Sequence, residues 1–256
     1  MLSKLHLPSS AAEAADLLRD GGWLIGGGTV VMPKVNTGVV PVDHLISLRH
    51  AGLAGIRVDQ DDVRVGAATT LAEIGAHARL GFLHPVIRSI ASPPVRNLAT
   101  VGGNLLAPQP HGDLAVALLA LDARVEVVSA DGTRTISVGE PVRQQEIITE
   151  VHFRLPTGST WRYRKAMRRR HNSASIVTIA AVLDGECTRI ALGGVASRPI
   201  RAYEAERILK ASPDAVAEAA EAAREGIEPF DDAYASAWYR RRVLPVHVRR
   251  ALLGEH

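Results

Sequence analysis

Two glycine-rich segments constrain this chain more than any other feature of its sequence. The first is Trp23-Leu24-Ile25-Gly26-Gly27-Gly28-Thr29, and the second is Asn97-Leu98-Ala99-Thr100-Val101-Gly102-Gly103-Asn104. Each joins a short apolar run to consecutive glycines and a hydroxyl residue, and we expect each to follow a strand. Because glycine has no Cβ, the main chain can come close to an anion there and offer it N–H donors. Two such loops predict a large phosphate-bearing cofactor held from two sides.

Neither segment matches the common nucleotide motifs. A P-loop requires Gly-Lys followed by Ser or Thr, and a Rossmann fingerprint requires Gly-x-Gly-x-x-Gly at the start of a helix. Pro33 lies five residues after Gly28, and a proline at that position argues against a regular helix continuing from the glycines. Taken alone, the three glycines of the first segment favour a tight turn over a ligand site. In the second segment, Thr100 and Asn104 add side-chain donors, which favours binding.

The composition is that of an ordinary soluble globular protein, with 46% hydrophobic and 22% charged residues. Aromatic residues make up only 4% of the chain, which argues against a surface that stacks sugars or single-stranded nucleic acid. The net charge of +3 is mild and predicts no nucleic-acid partner, although basic residues cluster at 162–170 and 240–242. No apolar run resembles a signal peptide or reaches membrane-spanning length, so we expect a cytoplasmic protein without membrane contact.

The single cysteine, Cys187, excludes several kinds of site from this chain. One thiol cannot form an intrachain disulfide, hold an iron–sulfur cluster or build a thiolate zinc site. The ten histidines have no partners at ligand spacing, so we predict no metal site.

The pattern of elements changes near Pro156-Thr157-Gly158-Ser159. Before this point, helices alternate with short strands, and two helices begin at capping-box pairs, Ser10 with Glu13 and Thr70 with Glu73. After it, three strands are followed by three helices, which indicates helices packed on an antiparallel sheet. The sequence therefore predicts the α+β class, with domains at 1–156 and 157–256.

An ordered series of segments resembles one known family. Together with the two glycine segments, it runs through these sequences: Arg64-Val65-Gly66-Ala67-Ala68-Thr69-Thr70-Leu71-Ala72-Glu73-Ile74, Glu146-Ile147-Ile148-Thr149-Glu150-Val151, Tyr163-Arg164-Lys165, Ala174-Ser175-Ile176-Val177 and Leu192-Gly193-Gly194-Val195-Ala196-Ser197-Arg198-Pro199. The series covers nearly the whole chain. It resembles the FAD-binding medium subunit of molybdenum hydroxylases, the group of xanthine, carbon monoxide and aldehyde dehydrogenases.

The resemblance implies a fold and a set of cofactor contacts. The fold is an FAD-binding domain of the PCMH type, with subdomains at about 1–53 and 54–156, followed by a smaller α+β domain. The two glycine loops would hold the diphosphate of non-covalent FAD. The implied contacts are Leu24, Ile25, Gly26, Gly27, Gly28, Thr29, Val30, Val31, Thr100, Val101, Gly102, Gly103, Asn104, Asp113, Ile148 and Lys165.

For five of these residues a structural role is the alternative, and for Thr29 and Thr100 it is that of a simple turn residue. Asp113 directly precedes an apolar helical stretch and could be its N-cap. Ile148, like Ile90, could be an ordinary core residue. Lys165 would lie near the isoalloxazine ring, where a cation stabilises anionic reduced flavin, and its alternative is an exposed strand lysine.

The implied function is electron transfer in a larger enzyme. A large partner subunit would carry the molybdenum cofactor, a small one would carry two [2Fe–2S] clusters, and the assembly would be a dimer of heterotrimers. Electrons would leave through FAD to NAD⁺ or another acceptor, and no catalytic side chain is predicted here. The alternatives are a stand-alone FAD-dependent oxidase or reductase and a non-enzymatic assembly subunit. The run 168–170 could be a solvated face or could dock an acidic partner or NAD phosphates.

Overall fold

The computed structural model describes residues 2–38, 43–169, 173–185 and 187–255. Arg170 of the basic run and Glu186 lie outside these ranges. The strands are β1 (Lys4–His6), β2 (Trp23–Ile25), β3 (His44–Ser47), β4 (Ile56–Asp59), β5 (Asp62–Gly66), β6 (Arg124–Ser129), β7 (Gly132–Ser137), β8 (Ile147–Arg154), β9 (Thr160–Met167), β10 (Ser175–Leu183), β11 (Arg189–Gly193) and β12 (Ile200–Arg201). The α-helices are α1 (Ala11–Arg19), α2 (Val31–Asn36), α3 (Leu71–Ala76), α4 (His84–Ser89), α5 (Pro93–Arg96), α6 (Val101–Leu105), α7 (Asp113–Ala120), α8 (Tyr203–Ala211), α9 (Val216–Ala222) and α10 (Ala237–Leu253).

The chain forms two compact units, each built from more than one stretch of sequence. Unit 1 contains Met1–Gly81, Ser92–Ala107 and Arg124–Phe153, and unit 2 contains Phe82–Ala91, Pro108–Ala123 and Arg154–His256.

Unit 1 contains two sheets. In the first, β3 lies between β1 and β2 and is parallel to both. The second has the strand order β4-β5-β8-β6-β7, with antiparallel hairpins at β4–β5 and β6–β7. Helix α1 contributes Ala14 and Leu18 to a small core that also contains Ile46 and Ile147. Both glycine segments belong to this unit, and the strands of its two sheets fall between residues 4 and 154.

The caps of two unit 1 helices test the predicted capping boxes. At α3 both halves form, because the Thr70 hydroxyl accepts from the Glu73 amide while the Glu73 carboxylate accepts from the Thr70 amide. At α1 the Ser10 hydroxyl accepts from the Glu13 amide at 3.1 Å, but the Glu13 carboxylate bonds to Ser9 instead. The first capping box is therefore only half formed.

Helix α2 corrects the expectation that Pro33 excludes a helix after Gly28. The helix begins at Val31, which places Pro33 in its first turn. Main-chain N–H groups in a first turn have no partner inside the helix, so proline removes no hydrogen bond there.

Unit 2 is an antiparallel sheet of order β12-β11-β10-β9 with helices packed against it. The central strand β10 is buried along eight of its nine residues. Helix α7 is buried on every side, which explains why it is apolar all round rather than amphipathic. This arrangement confirms the predicted α+β class with an antiparallel sheet and C-terminal helices.

Arg240, the first residue of the basic cluster at 240–242, is not a surface residue. Its side chain is completely buried, and its guanidinium donates to the Gly194 carbonyl at 3.0 Å and to Asp232 at 2.7 Å. It also donates to the carbonyl of Ile176 and lies over the Phe230 ring at 4.8 Å. Arg240 therefore fastens helix α10 to the sheet of unit 2.

Within the described ranges, no helix combines the length and the apolar character needed to cross a bilayer.

Candidate functional site

The two glycine segments lie side by side in unit 1. A Cβ on Gly27 would overlap the carbonyl oxygen of Leu98, and a Cβ on Gly26 would lie 2.6 Å from Thr100 Oγ1. The two backbones therefore approach more closely than any side chain would permit. Glycine at these two positions is explained by the contact between the segments.

The second segment uses its amides inside the protein. The amides of Val101 and Gly102 donate to the carbonyls of Thr69 and Ala67, both at 2.9 Å. The Gly103 amide donates to Thr100 Oγ1 at 3.2 Å, and the Asn104 amide donates to the Thr100 carbonyl. These four amides stabilise helix α6 and its attachment, so they are not free donors for a ligand.

The strand expected before this second segment is absent from the described residues, where helix α5 precedes it and helix α6 begins within it. Pro93 and Pro94 occupy the first turn of α5, where their fixed φ suits a helix. Thr100 has extended backbone angles and is the N-cap of α6. The apolar spacing did not reveal either of these short helices.

The first segment has the opposite hydrogen-bonding state. Among the described residues, the amides of Gly27, Gly28, Thr29 and Val30 have no acceptor, and neither does the amide of Thr100. The Thr29 hydroxyl also has no partner there. Consecutive free N–H groups on an open turn are suited to binding an anion. The predicted residues Leu24, Ile25 and Val31 are half-buried beside this turn.

Asp113 and Lys165 form a buried ion pair in unit 2. Lys165 Nζ donates to Asp113 Oδ2 at 2.8 Å, and the two side chains are 4% and 5% exposed. Lys165 also donates to the Ser89 carbonyl at 2.9 Å, and Thr178 Oγ1 donates to Asp113 Oδ1 at 2.8 Å. The pair is thus held by hydrogen bonds on both sides, as a buried pair must be to remain charged.

The structure excludes the alternative roles considered for these two residues. Gly112, not Asp113, is the N-cap of α7, and Asp113 is the first residue of the helix. Lys165 is not an exposed strand lysine, because its side chain is almost fully covered. Whether either residue contacts a cofactor stays a prediction.

Tyr163 extends this network. It lies two residues from Lys165 on β9, so both side chains point to the same face of the strand. Its hydroxyl is 2.8 Å from Ser89 Oγ. Burial, together with the nearby charge of Asp113, raises the pKa of Tyr163 well above its usual range. The phenol therefore remains protonated, and it is the donor to Ser89 Oγ, because the Ser89 hydroxyl donates to the Val86 carbonyl.

The sequence analysis missed Thr178, Ser89 and the role of Tyr163. Thr178 is directly opposite Lys165 in the β9–β10 register, and Ser89 ends helix α4, seventy-six residues before Lys165. Only the two-residue spacing of Tyr163 and Lys165 was visible locally. The predicted contact Ile148 is buried in β8 opposite Val127, as an ordinary core residue would be.

Within the described ranges, no group of three or more His, Cys, Asp or Glu side chains is arranged to hold a metal ion.

Comparison with known proteins identifies the family. The model of the FAD binding domain in molybdopterin dehydrogenase matches residues 2–156. The model of the CO dehydrogenase flavoprotein C-terminal domain matches residues 161–254. The chain is an FAD-binding medium subunit of the molybdenum hydroxylase family.

Relatives of this medium subunit are similar over nearly their whole length. It is 34% identical to the 6-hydroxypseudooxynicotine dehydrogenase complex subunit alpha of Paenarthrobacter nicotinovorans, covering 95% of this chain and 90% of the relative. It is 28% identical to the carbon monoxide dehydrogenase medium chain of Afipia carboxidovorans, covering 96% and 94%. A solved carbon monoxide dehydrogenase of Hydrogenophaga pseudoflava, which lacks the Mo-pyranopterin moiety of its cofactor, superposes with a TM-score of 0.90 at 28% identity over 99% of this chain and 96% of that one.

The residues of the medium subunit fit FAD at the first glycine segment. FAD carries a diphosphate, and the free amides of Gly27 to Val30 supply the donors that this anion requires. Two apolar side chains beside the glycines, Val30 and Leu98, are 37% and 56% exposed. An apolar ring system would cover such surface favourably.

Proposed function

We propose that the turn from Gly27 to Val30, with the Thr100 amide, holds the diphosphate of non-covalently bound FAD. The observation that carries this proposal is the run of four free amides against a second segment whose amides are already bonded. Amide donors fixed by backbone contact need no rearrangement when the anion binds. The Thr29 hydroxyl supplies one further donor.

The proposal assigns the second segment a supporting role. This second segment positions the first segment through the contact of Leu98 with Gly27 and of Thr100 with Gly26, rather than surrounding the diphosphate with N–H groups. The Thr100 amide is the exception because it has no acceptor within the described residues. Asn104, which is buried, remains a proposed contact.

Asp113, Ile148 and Lys165 complete the proposed cofactor contacts. Because Asp113 lies 2.8 Å from Lys165, the pair brings no net charge to the flavin. Lys165 therefore acts through its third N–H, which neither Asp113 nor Ser89 accepts. This differs from the stabilisation by a free cation that the sequence suggested.

When bound, FAD would supply the redox chemistry that links [2Fe–2S] clusters on a small partner subunit to NAD⁺ or another acceptor. The molybdenum cofactor belongs, in this proposal, to a large partner subunit, and the assembly is a dimer of heterotrimers in the cytoplasm. The relatives support the proposal, because one is a subunit of a dehydrogenase complex and another is a medium chain.

We further propose the domain division at 1–156 and 157–256. The family matches at 2–156 and 161–254 support it. The subdomains at about 1–53 and 54–156 are supported by the two sheets of unit 1, which are built from strands within 4–47 and 56–154.

The test is to titrate the purified full chain with FAD and to monitor binding by flavin absorbance and protein fluorescence. One FAD per chain is expected. The variant T29A should raise the Kd roughly three- to tenfold, the loss of one hydrogen bond. T135A is the matched control, since Thr135 is exposed on β7 in the same unit. A chain that stays colourless after FAD addition, or equal affinity in T29A and T135A, contradicts the proposed site.

A second experiment tests the assembly. Native purification of the complex should recover this chain with molybdenum, iron and flavin in fixed ratio. Full turnover of a substrate by the FAD-loaded chain alone would favour the stand-alone oxidase or reductase instead.

A further inference from the structure

An exposed stripe runs along the outer side of helix α10 in unit 2. It consists of Trp238, Arg242, Val246, Arg249 and Leu253, which follow one another at spacings of four, four, three and four residues. Residues at these spacings lie on one side of a helix, so the stripe is continuous over about 22 Å. Its apolar members are 68%, 50% and 46% exposed.

The fold does not need this stripe. The opposite side of α10 is buried through Leu244, Val248, Ala251 and Leu252, which belong to the core of unit 2. Trp238 makes a cation–π contact with Arg242, whose guanidinium lies over the Trp238 ring at 5.6 Å from the ring centroid. A tryptophan held by arginine on a protein surface is typical of interface hot spots.

The stripe is positively charged and lacks counter-ions. Helix α10 contains no Asp or Glu, and four of its arginines are exposed: Arg241, Arg242, Arg249 and Arg250. None of the four forms a salt bridge within the described residues. Two other arginines of the same unit do have partners: Arg207 pairs with Glu204 on helix α8, and Arg224, just after helix α9, pairs with Glu221. The exposed arginines of α10 therefore differ from Arg207 and Arg224, because no carboxylate of the described residues pairs with them.

We infer that this stripe docks a partner subunit of the hydroxylase complex, one that presents carboxylates around apolar pockets. The inference rests on the proposed function. Charge complementarity selects an acidic surface for the arginines, and the alternating Trp, Val and Leu require pockets between those acidic groups. The stripe contains no residue of the glycine segments.

The arrangement argues for a protein surface over an anionic membrane. A membrane-surface helix separates its apolar and basic residues onto different faces. In α10 apolar and basic residues alternate along one line, and the continuous apolar face is already buried in the core.

The experiment measures binding of the full FAD-loaded chain to the molybdenum- and cluster-bearing subunits of its own complex. The variants are W238A and the double variant R242E/R249E. The matched control is R19E/R124E, which makes the same charge change at exposed arginines of unit 1. We expect each stripe variant to raise the Kd at least tenfold, the control to stay within twofold, and R242E/R249E to bind with weaker salt dependence. FAD affinity of the isolated chain should be unchanged in all three.

Three results would overturn the inference. The first is a Kd within twofold of wild type for both stripe variants. The second is an equal loss in the control, which would show that only net charge matters. The third is stripe-dependent binding to phosphatidylcholine–phosphatidylglycerol vesicles with unchanged binding to the partner subunits. Failure of the wild-type chain to bind any partner subunit would refute the proposed function as well, whereas the first three results would leave it intact.

Discussion

The two glycine segments look alike in sequence and differ in what their backbones do. In the segment around Gly27, four consecutive amides have no acceptor in the described chain, whereas in the segment around Gly102 four amides are bonded within the protein. The first is a surface available to a ligand, and the second is the support that holds it in place. The lesson is that a glycine pair with flanking hydroxyl residues does not by itself indicate ligand contact. The hydrogen-bonding state of each amide decides it.

The same distinction between engaged and free groups predicts the largest effect in unit 2. Lys165 donates to Asp113 and to the Ser89 carbonyl, so K165M leaves a buried carboxylate without its counter-ion. We expect the free energy of unfolding to fall by about 3–5 kcal/mol. Urea unfolding of the FAD-free full chain, followed by circular dichroism, measures it.

The matched variant for this pair is D113N/K165M, which removes both charges. It should be clearly more stable than K165M alone, because no unpaired charge stays buried. Equal stability of the single and double variants would show that the ion pair is not what Lys165 contributes.

The second prediction tests the contact between the two glycine segments. In G27A the new methyl group overlaps the Leu98 carbonyl oxygen, so the segments must separate. We expect a loss of about 1–3 kcal/mol in unfolding free energy together with loss of FAD binding. Thermal denaturation and FAD titration measure the two effects.

G81A is the control for this change, since a Cβ on Gly81 meets no atom within 4 Å. Its stability and FAD affinity should equal those of wild type. Retention of full FAD affinity in G27A would mean that the second segment does not position the first.

The third prediction compares the two threonines directly. Thr100 Oγ1 accepts the Gly103 amide and caps helix α6, so T100A should lower the unfolding free energy by about 1 kcal/mol. Thr29 has no partner among the described residues, so T29A should change stability by less than about 0.5 kcal/mol. Chemical denaturation without FAD gives both values. The reverse order would break the assignment of one segment to support and the other to binding.

Local sequence patterns were sufficient for the family and for many of the elements, but not for the short helices α2, α5 and α6 or for the state of the site. Period-two alternation at 56–58 and 63–65 predicts the β4–β5 hairpin, the Asp131-Gly132 turn predicts the β6–β7 hairpin, and capping spacing predicts the start of α3, because these signals depend on residues close in the chain. The pairing of Lys165 with Thr178 depends on strand register, and its bond to Ser89 joins residues far apart in sequence. The bonded amides of the second segment have acceptors at Ala67 and Thr69, which no pattern within that segment could reveal.

A pH dependence separates the fold of unit 1 from its ligand turn. Main-chain amides do not titrate in the acid range, so acid should release FAD only when the fold fails. Glu146 is 5% exposed and accepts two hydrogen bonds from Arg134, at 2.6 and 2.8 Å, and these bonds lower its pKa from an ordinary 4.5 to about 2. Because the folded pKa lies below the unfolded one, this stabilisation is complete above the ordinary pKa and is lost as the pH falls towards 2.

The variant E146Q removes this titration. Its unfolding free energy should be lower than that of wild type at pH 7, and the difference should shrink as the pH falls from about 5 to 2, because the wild-type carboxylate becomes protonated. Urea unfolding across that range, with FAD fluorescence recorded in parallel, measures both quantities. The control is E140Q, since Glu140 is an exposed residue of the same unit. FAD release at a pH where the wild-type fold is still intact would show that a titrating side chain, and not the amides of Gly27 to Val30, dominates binding.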